Sequence, residues 1–149
     1  MVKVLMVCLD NICRSPLAQG ILESKVNLDK VFVDSAGTAA YHVGNLPDER
    51  SIDVARNYGI NITNQRARKF TVQDFDEFDY IYAMDISNYQ NILMLARGEE
   101  DENKVRLILN EIYPSENKSV PDPYYGGNQG FENVYQMLDE ACDVISKKL

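Results

Sequence analysis

Near its start the chain places a cysteine and an arginine with five residues between them, in the run Cys8-Leu9-Asp10-Asn11-Ile12-Cys13-Arg14-Ser15-Pro16. These are residue types that together could attack and hold a phosphate. A tight loop lets backbone N–H groups converge, and a helix that starts beyond it adds unpaired donors and the positive end of its dipole. The planar fork of Arg14 matches two phosphate oxygens, which a lysine cannot do in the same way. The same positive field favours the thiolate of Cys8, the form that acts as a nucleophile. Ser15 could donate its hydroxyl to that sulfur and ease its departure in a second step. By itself the spacing also fits Cys8 as a buried strand-end residue, so the flanking segments must decide.

Those segments support the chemical reading. Residues 2–7 are apolar around Lys3, the pattern of a strand buried on both faces. After the loop, Ser15 suits a helix N-cap and Pro16 the first helical position. Leu17, Ala18, Ile21, Leu22 and Val26 then share one helical face. Residues 31–33 predict a second strand that ends at Asp34-Ser35-Ala36-Gly37, and residues 47–58 a helix stopped by Gly59. Residues 78–84 predict a third strand, and Ile86, Tyr89, Leu93 and Ala96 a helix ending near Gly98. The acidic run 99–102 predicts a solvated turn, and residues 105–109 a fourth strand. Phe131, Val134, Tyr135, Leu138, Cys142, Ile145 and Leu149 recur at helical spacing, which puts Cys142 in the core. Strands alternating with helices imply an α/β fold, a parallel sheet with helices on both faces. Ligands bind such sheets beyond the carboxyl ends of the strands, where the loop after the first strand lies.

The 149 residues suit one domain, residues 1–149. The apolar run 4–9 is too short for a membrane span and lacks a secretory layout. Three cysteines, an odd number, do not suggest a disulfide scaffold. A cytoplasmic location is expected. A net charge of −8 argues against nucleic acid and anionic membrane surfaces as partners, so any anionic substrate must be attracted by donors at the site. With a single histidine, His42, and no C-x-x-C pair, a metal site is not expected.

The loop resembles the signature of the low-molecular-weight protein tyrosine phosphatases, C-L-G-N-I-C-R-S-P directly after the first strand. The resemblance continues through Asp34-Ser35-Ala36-Gly37-Thr38, Gly59-Ile60, Gln65-Arg66-Ala67-Arg68, Ala83-Met84-Asp85, Asn88 and Pro121-Asp122-Pro123-Tyr124-Tyr125-Gly126. It implies a four-stranded parallel sheet with the phosphate-binding loop after the first strand, hydrolysis of phosphotyrosine in proteins or peptides, and a cysteinyl-phosphate intermediate. It implies no metal and no cofactor. The catalytic residues it implies are Cys8, Arg14 and Asp122, the last as general acid and then base. The residues alone equally allow Pro121-Asp122-Pro123 to be a stiff turn, and both can hold.

The resemblance further implies a loop of Leu9, Asp10, Asn11, Ile12, Cys13 and Ser15, with Asn11 left-handed and braced by Ser15 and Ser35. It implies an aromatic pocket wall of Tyr41, Tyr124 and Tyr125, which would favour long aryl phosphates over phosphoserine. His42 reads as structural. Cys13 matches a position that can trap the oxidised nucleophile as a disulfide, and equally suits a small buried residue.

Two positions depart from the family. Asp10 replaces a glycine, and its carboxylate is expected at the rim, since side chains radiate outward from a loop whose N–H groups face inward. Asn64 stands near where many relatives carry a histidine that braces the loop asparagine, and its amide could take part of that role. Two other readings remain: a non-catalytic or impaired phosphoprotein-binding module because of Asp10, and an arsenate reductase on the same scaffold. Arsenate reduction usually relays a disulfide through mid-chain cysteines, and none lies between Cys13 and Cys142.

Overall fold

A computed structural model describes residues 1–39 and 41–149, with Tyr125 described in its backbone alone. The elements run β1 (Val2–Cys8), α1 (Arg14–Glu23), β2 (Val31–Gly37), α2 (Glu49–Asn57), α3 (Gln73–Glu77), β3 (Tyr80–Ala83), α4 (Ile86–Leu93), α5 (Glu99–Lys104), β4 (Val105–Leu107) and α6 (Gly127–Lys148). Short 3-10 turns occupy Ile108–Glu111 and Pro123–Tyr125. The four strands form one sheet in the order β2-β1-β3-β4, and every neighbouring pair is parallel. The α/β expectation is borne out.

β1 is central and buried on both sides, which explains its unbroken apolar run. Its side chains alternate between two layers, as the period of a strand requires. Val4, Met6 and Cys8 pack with Leu17, Ile21, Leu138 and Cys142 of α1 and α6. Leu5 and Val7 pack on the opposite face with Phe70, Phe75, Ile81 and Ile92. The Cys142 thiol is fully buried in the first layer, as its stripe predicted.

Several boundaries differ from the sequence reading. β2 continues to Gly37 because it pairs in register with β1 up to Cys8. Its polar residues are satisfied there rather than ending it: the Ser35 hydroxyl donates to Gln19 Oε1 at 2.7 Å. α3 spans only five residues, too few for a periodic signal. Residues 99–102 are not a solvated turn. They belong to α5, where acidic residues favour the positive end of the helix dipole. Asp101 is buried and accepts from the Arg97 backbone N–H at 2.9 Å and from its Nε at 2.8 Å. α1 begins at Arg14, with Cys13 in the N-cap position, so Ser15 is not the cap.

The strand pairing also fixes one residue type next to the loop. A Cβ on Gly37 would lie 2.6 Å from the Leu9 carbonyl oxygen and 3.0 Å from the Asn11 backbone nitrogen. Both atoms belong to the loop backbone, which cannot yield without moving the loop. We expect Gly37→Ala to destabilise the fold by about 1–3 kcal/mol, the usual scale of overpacking, and to weaken phosphate binding as well. Urea unfolding and phosphate titration together check this; full affinity for phosphate in the variant would show that the loop tolerates the displacement.

Candidate active site

Residues 9–13 join β1 to α1, and their carbonyls and N–H groups differ in partners. The carbonyls of Cys8 and Leu9 accept from Thr38 N and Ala39 N, both at 2.9 Å. The Ile12 carbonyl accepts from Asp48 N at 2.7 Å, and the Cys13 carbonyl from the Ser51 hydroxyl at 3.2 Å. The backbone N–H groups of Leu9, Asp10, Asn11, Ile12 and Cys13 have no acceptor among the described residues. Donors left unpaired in a concave loop at a helix N-terminus are what binds an oxyanion.

Asn11 makes that geometry possible. It is left-handed, with φ of 59°, a conformation asparagine tolerates better than most residues. Its Nδ2 donates to the hydroxyls of Ser15 and Ser35 at 2.8 and 2.9 Å, and its Oδ1 accepts from Arg68 N at 3.1 Å. The expected brace is present. Because Ser15 Oγ accepts from Asn11, its own proton is left for the Cys8 sulfur, 3.0 Å away. That double engagement is why Ser15 does not cap the helix.

Arg14 is buried, and its Nη1 donates to Asp85 Oδ2 and to the Val120 carbonyl, both at 2.8 Å. Its Nε and Nη2 have no acceptor among the described residues and remain for a ligand. Asp85 is fixed in turn as the N-cap of α4, accepting from Asn88 N at 2.7 Å. Sequence reasoning did not find this role of Asp85. Its cap chemistry was visible, but its link to Arg14 crosses 71 positions.

Cys8, Leu9, Asp10, Ile12, Cys13, Arg14, His42, Asp122 and Tyr124 line one cavity of about 410 Å³. Asp122 is exposed at its mouth, and its Oδ1 accepts from Tyr124 N at 2.9 Å, so the aspartate also caps a turn. Tyr124 is part of the wall as expected. Tyr41 is 79% exposed and does not line the cavity; His42, its neighbour, does. The Tyr125 side chain lies outside the described residues.

Asn64 is exposed, and among the described residues no hydrogen bond joins it to the loop. The buried neighbour Gln65 points inward instead, its Nε2 donating to the Pro16 carbonyl at 3.1 Å. Burial, together with the negative charge of Asp48, Cys8 and Asp122, pushes the Cys13 thiol up to about 12.

Asp10 does not stand clear at the rim. Its carboxylate is part of the cavity wall, Oδ1 is buried without a donor among the described residues, and Oδ2 lies 4.0 Å from His42 Nε2. The side chain thus lies beside His42 rather than pointing clear of the protein.

Residues 3–149 match the family described as low molecular weight phosphotyrosine protein phosphatase. The chain is 44% identical to a protein of Schizosaccharomyces pombe named low molecular weight phosphotyrosine protein phosphatase, with 93% of this chain and 91% of that one covered. It is 41% identical to the low molecular weight protein-tyrosine-phosphatase YfkJ of Bacillus subtilis, covering 97% and 94%. The crystal structure of a protein tyrosine phosphatase from Entamoeba histolytica superposes with a TM-score of 0.92 at 36% identity, over 99% of this chain and 96% of that one.

The placement of Asp10 yields a measurable expectation. A unit charge about 7 Å from a bound phosphate charge, at an effective dielectric of about 20, repels it by roughly 2 kcal/mol before screening. Asp10→Gly should therefore tighten phosphate binding by tenfold or more, up to about thirtyfold, at low salt, with the gain shrinking as ionic strength rises. Equal affinities for wild type and variant at low salt would mean that His42 or the loop dipoles already offset the carboxylate.

Proposed function

The chain belongs to the low molecular weight phosphotyrosine protein phosphatase family and is a phosphotyrosine phosphatase, and we propose that Cys8, Arg14 and Asp122 carry its reaction. The single observation that supports this most is a loop of five unpaired backbone N–H groups, four of whose residues line one cavity with Cys8, Arg14 and Asp122. The phosphate sits in that cradle with two oxygens on Arg14. The Cys8 thiolate attacks phosphorus, the bond to the tyrosine oxygen breaks, and Asp122 gives its proton to the departing phenolate. In the second step Asp122 takes a proton from water, the water oxygen attacks the cysteinyl-phosphate, and the sulfur–phosphorus bond breaks. The Ser15 hydroxyl meets the returning thiolate, and inorganic phosphate leaves.

Cys8 is buried at the inner end of the cavity, while Tyr124 stands at the mouth. A long, flat aryl phosphate reaches such a sulfur, and phosphoserine falls short. Tyr41 completes the wall only if it turns toward a bound substrate. The partners are phosphotyrosine proteins or peptides, and the net charge of −8 disfavours nucleic acid and anionic membranes. Among the described residues no helix is long and apolar enough to cross a membrane. The three cysteines are free, which suits a cytoplasmic location. We read residues 1–149 as one catalytic domain.

The two other readings fit less well. A phosphoprotein-binding module has no need of an exposed carboxylate beside a nucleophile, and here Cys8, Arg14 and Asp122 share one cavity. A disulfide relay for arsenate would need a reachable third cysteine, and Cys142 is fully buried on the sheet.

Turnover of p-nitrophenyl phosphate and of a phosphotyrosine peptide tests the assignment. Cys8→Ser should abolish turnover yet still bind phosphate or vanadate, because the cradle and Arg14 remain; residual catalysis near wild type would remove the covalent step. Asp122→Ala should lower kcat by roughly 10²–10⁴ for aryl phosphates with poor leaving groups, the usual range for general acid catalysis. The loss should shrink when the leaving group departs without a proton, and a uniform loss across the series would rule Asp122 out as the acid.

A further inference from the structure

A general acid works only if its carboxyl is held at the leaving oxygen. The segment that carries Asp122 has no regular structure before the turn Pro123–Tyr125. Upstream it is pinned at Val120, whose N–H donates to the Met84 carbonyl at 2.8 Å and whose carbonyl accepts from Arg14 Nη1 at 2.8 Å. Downstream the pin is Arg50, the second residue of α2. Its Nη1 donates to the Tyr124 carbonyl at 3.2 Å, and its guanidinium lies 5.1 Å from the centre of the Tyr124 ring. It also stacks 4.6 Å from the Phe131 ring, which is buried at the start of α6.

The other edge of the same guanidinium faces Asp48. Nε donates to Asp48 Oδ1 at 3.2 Å and Nη2 to Oδ2 at 3.3 Å. Asp48 is itself tied to the cradle, since its backbone N–H donates to the Ile12 carbonyl at 2.7 Å. A chain of contacts thus runs from the outer wall of the cradle through Asp48 and Arg50 to the carbonyl two residues past the acid.

We propose that Arg50 is a positioning residue for the general acid: it clamps the Asp122 segment to the wall of the phosphate cradle, so that protonation of the leaving group depends on it. The inference rests on the reading of Asp122 as the acid. Arginine suits the task and lysine does not. Only a planar fork bonds a carboxylate along one edge and a carbonyl at another while its face stacks on aromatic rings. Arg50 touches neither phosphate nor sulfur, so its removal leaves the cradle's donors in place.

A purely structural staple between α2 and α6 would have a different signature. The test is kcat across aryl phosphates of graded leaving-group basicity, for wild type, Arg50→Ala, Arg50→Lys, Asp122→Ala and the double variant Arg50→Ala/Asp122→Ala. Arg50→Ala should lose about tenfold in kcat on the poorest leaving groups, in line with misplacement of a catalytic group by a fraction of an ångström. The loss should be several-fold smaller on the best ones, with the inhibition constant for phosphate little changed. Arg50→Lys keeps the charge beside Asp48 without the fork. It should fold as wild type does, by its melting curve, and still show the leaving-group-dependent loss, which keeps the test intact if Arg50→Ala folds poorly. On the Asp122→Ala background, Arg50→Ala should add no further leaving-group dependence.

A loss of equal size for every leaving group, or effects of the two substitutions that multiply, would overturn the clamp while leaving Asp122 as the acid. If Asp122→Ala itself shows no leaving-group dependence, the assignment of the acid fails first, and the clamp with it.

Discussion

The structure depends on keeping five consecutive backbone N–H groups, from Leu9 to Cys13, unpaired among the described residues. Backbone donors without a protein partner forgo the hydrogen bonds that usually fix a segment in place, so this loop must be held by its other contacts. Every neighbouring element helps to hold it. The 38–39 segment beyond β2 takes the outward carbonyls on one side, and the start of α2 takes them on the other. Asn11 reverses the chain in a left-handed conformation, and Ser15, Ser35 and Arg68 fix its amide. β1 contributes by being central and buried, which leaves the loop no freedom to move along the sheet.

Charge is the second constraint. The chain carries −8 overall, and Asp10, Asp48, Asp85 and Asp122 all stand close to an anion site. Three of them have a task. Asp85 accepts from Arg14 and caps α4, which orients the guanidinium while part of its fork stays open. Asp48 caps α2 and holds Arg50, so its charge is matched within its own helix turn. Asp122 is the proposed proton donor. Asp10 alone has a buried oxygen without a donor among the described residues, which makes it the residue where this cradle departs most from electrostatic logic. Attraction of a phosphate dianion therefore rests on dipoles and on Arg14, in a low-dielectric loop where short-range donors outweigh the mean field.

Much of this was legible in the sequence, and the rest was not for physical reasons. The buried run 2–7, the Cys8–Arg14 spacing and the stripe ending near Leu149 carry local periodicities, and they gave the sheet, the loop and the long helix. The resemblance added Asn11, Ser35 and Asp122, which no periodicity marks. The contacts that escaped are those closed by tertiary structure: Arg14 with Val120 across 106 positions, and Arg50 with Tyr124 across 74. Ser15 was misread as a cap because propensity sees only local partners, whereas its hydroxyl is claimed by Cys8 and Asn11. Gln65 rather than Asn64 faces inward because residues 62, 65 and 67 are the buried positions of that segment, and a one-residue shift in an irregular stretch leaves no periodic signal.

The balance between two roles for Cys13 shifts on the same grounds. A resolving cysteine attacks as a thiolate, and burial with three negative neighbours pushes the Cys13 thiol up to about 12. Oxidation of Cys8 to a sulfenic acid removes one of those neighbours, the Cys8 charge itself. The larger cause, burial, remains, and so does the charge of Asp48. Burial therefore weighs against the resolving role and toward the structural one. Cys13 stands in the N-cap position of α1, and it packs beside the core there without offering a hydrogen bond to the helix.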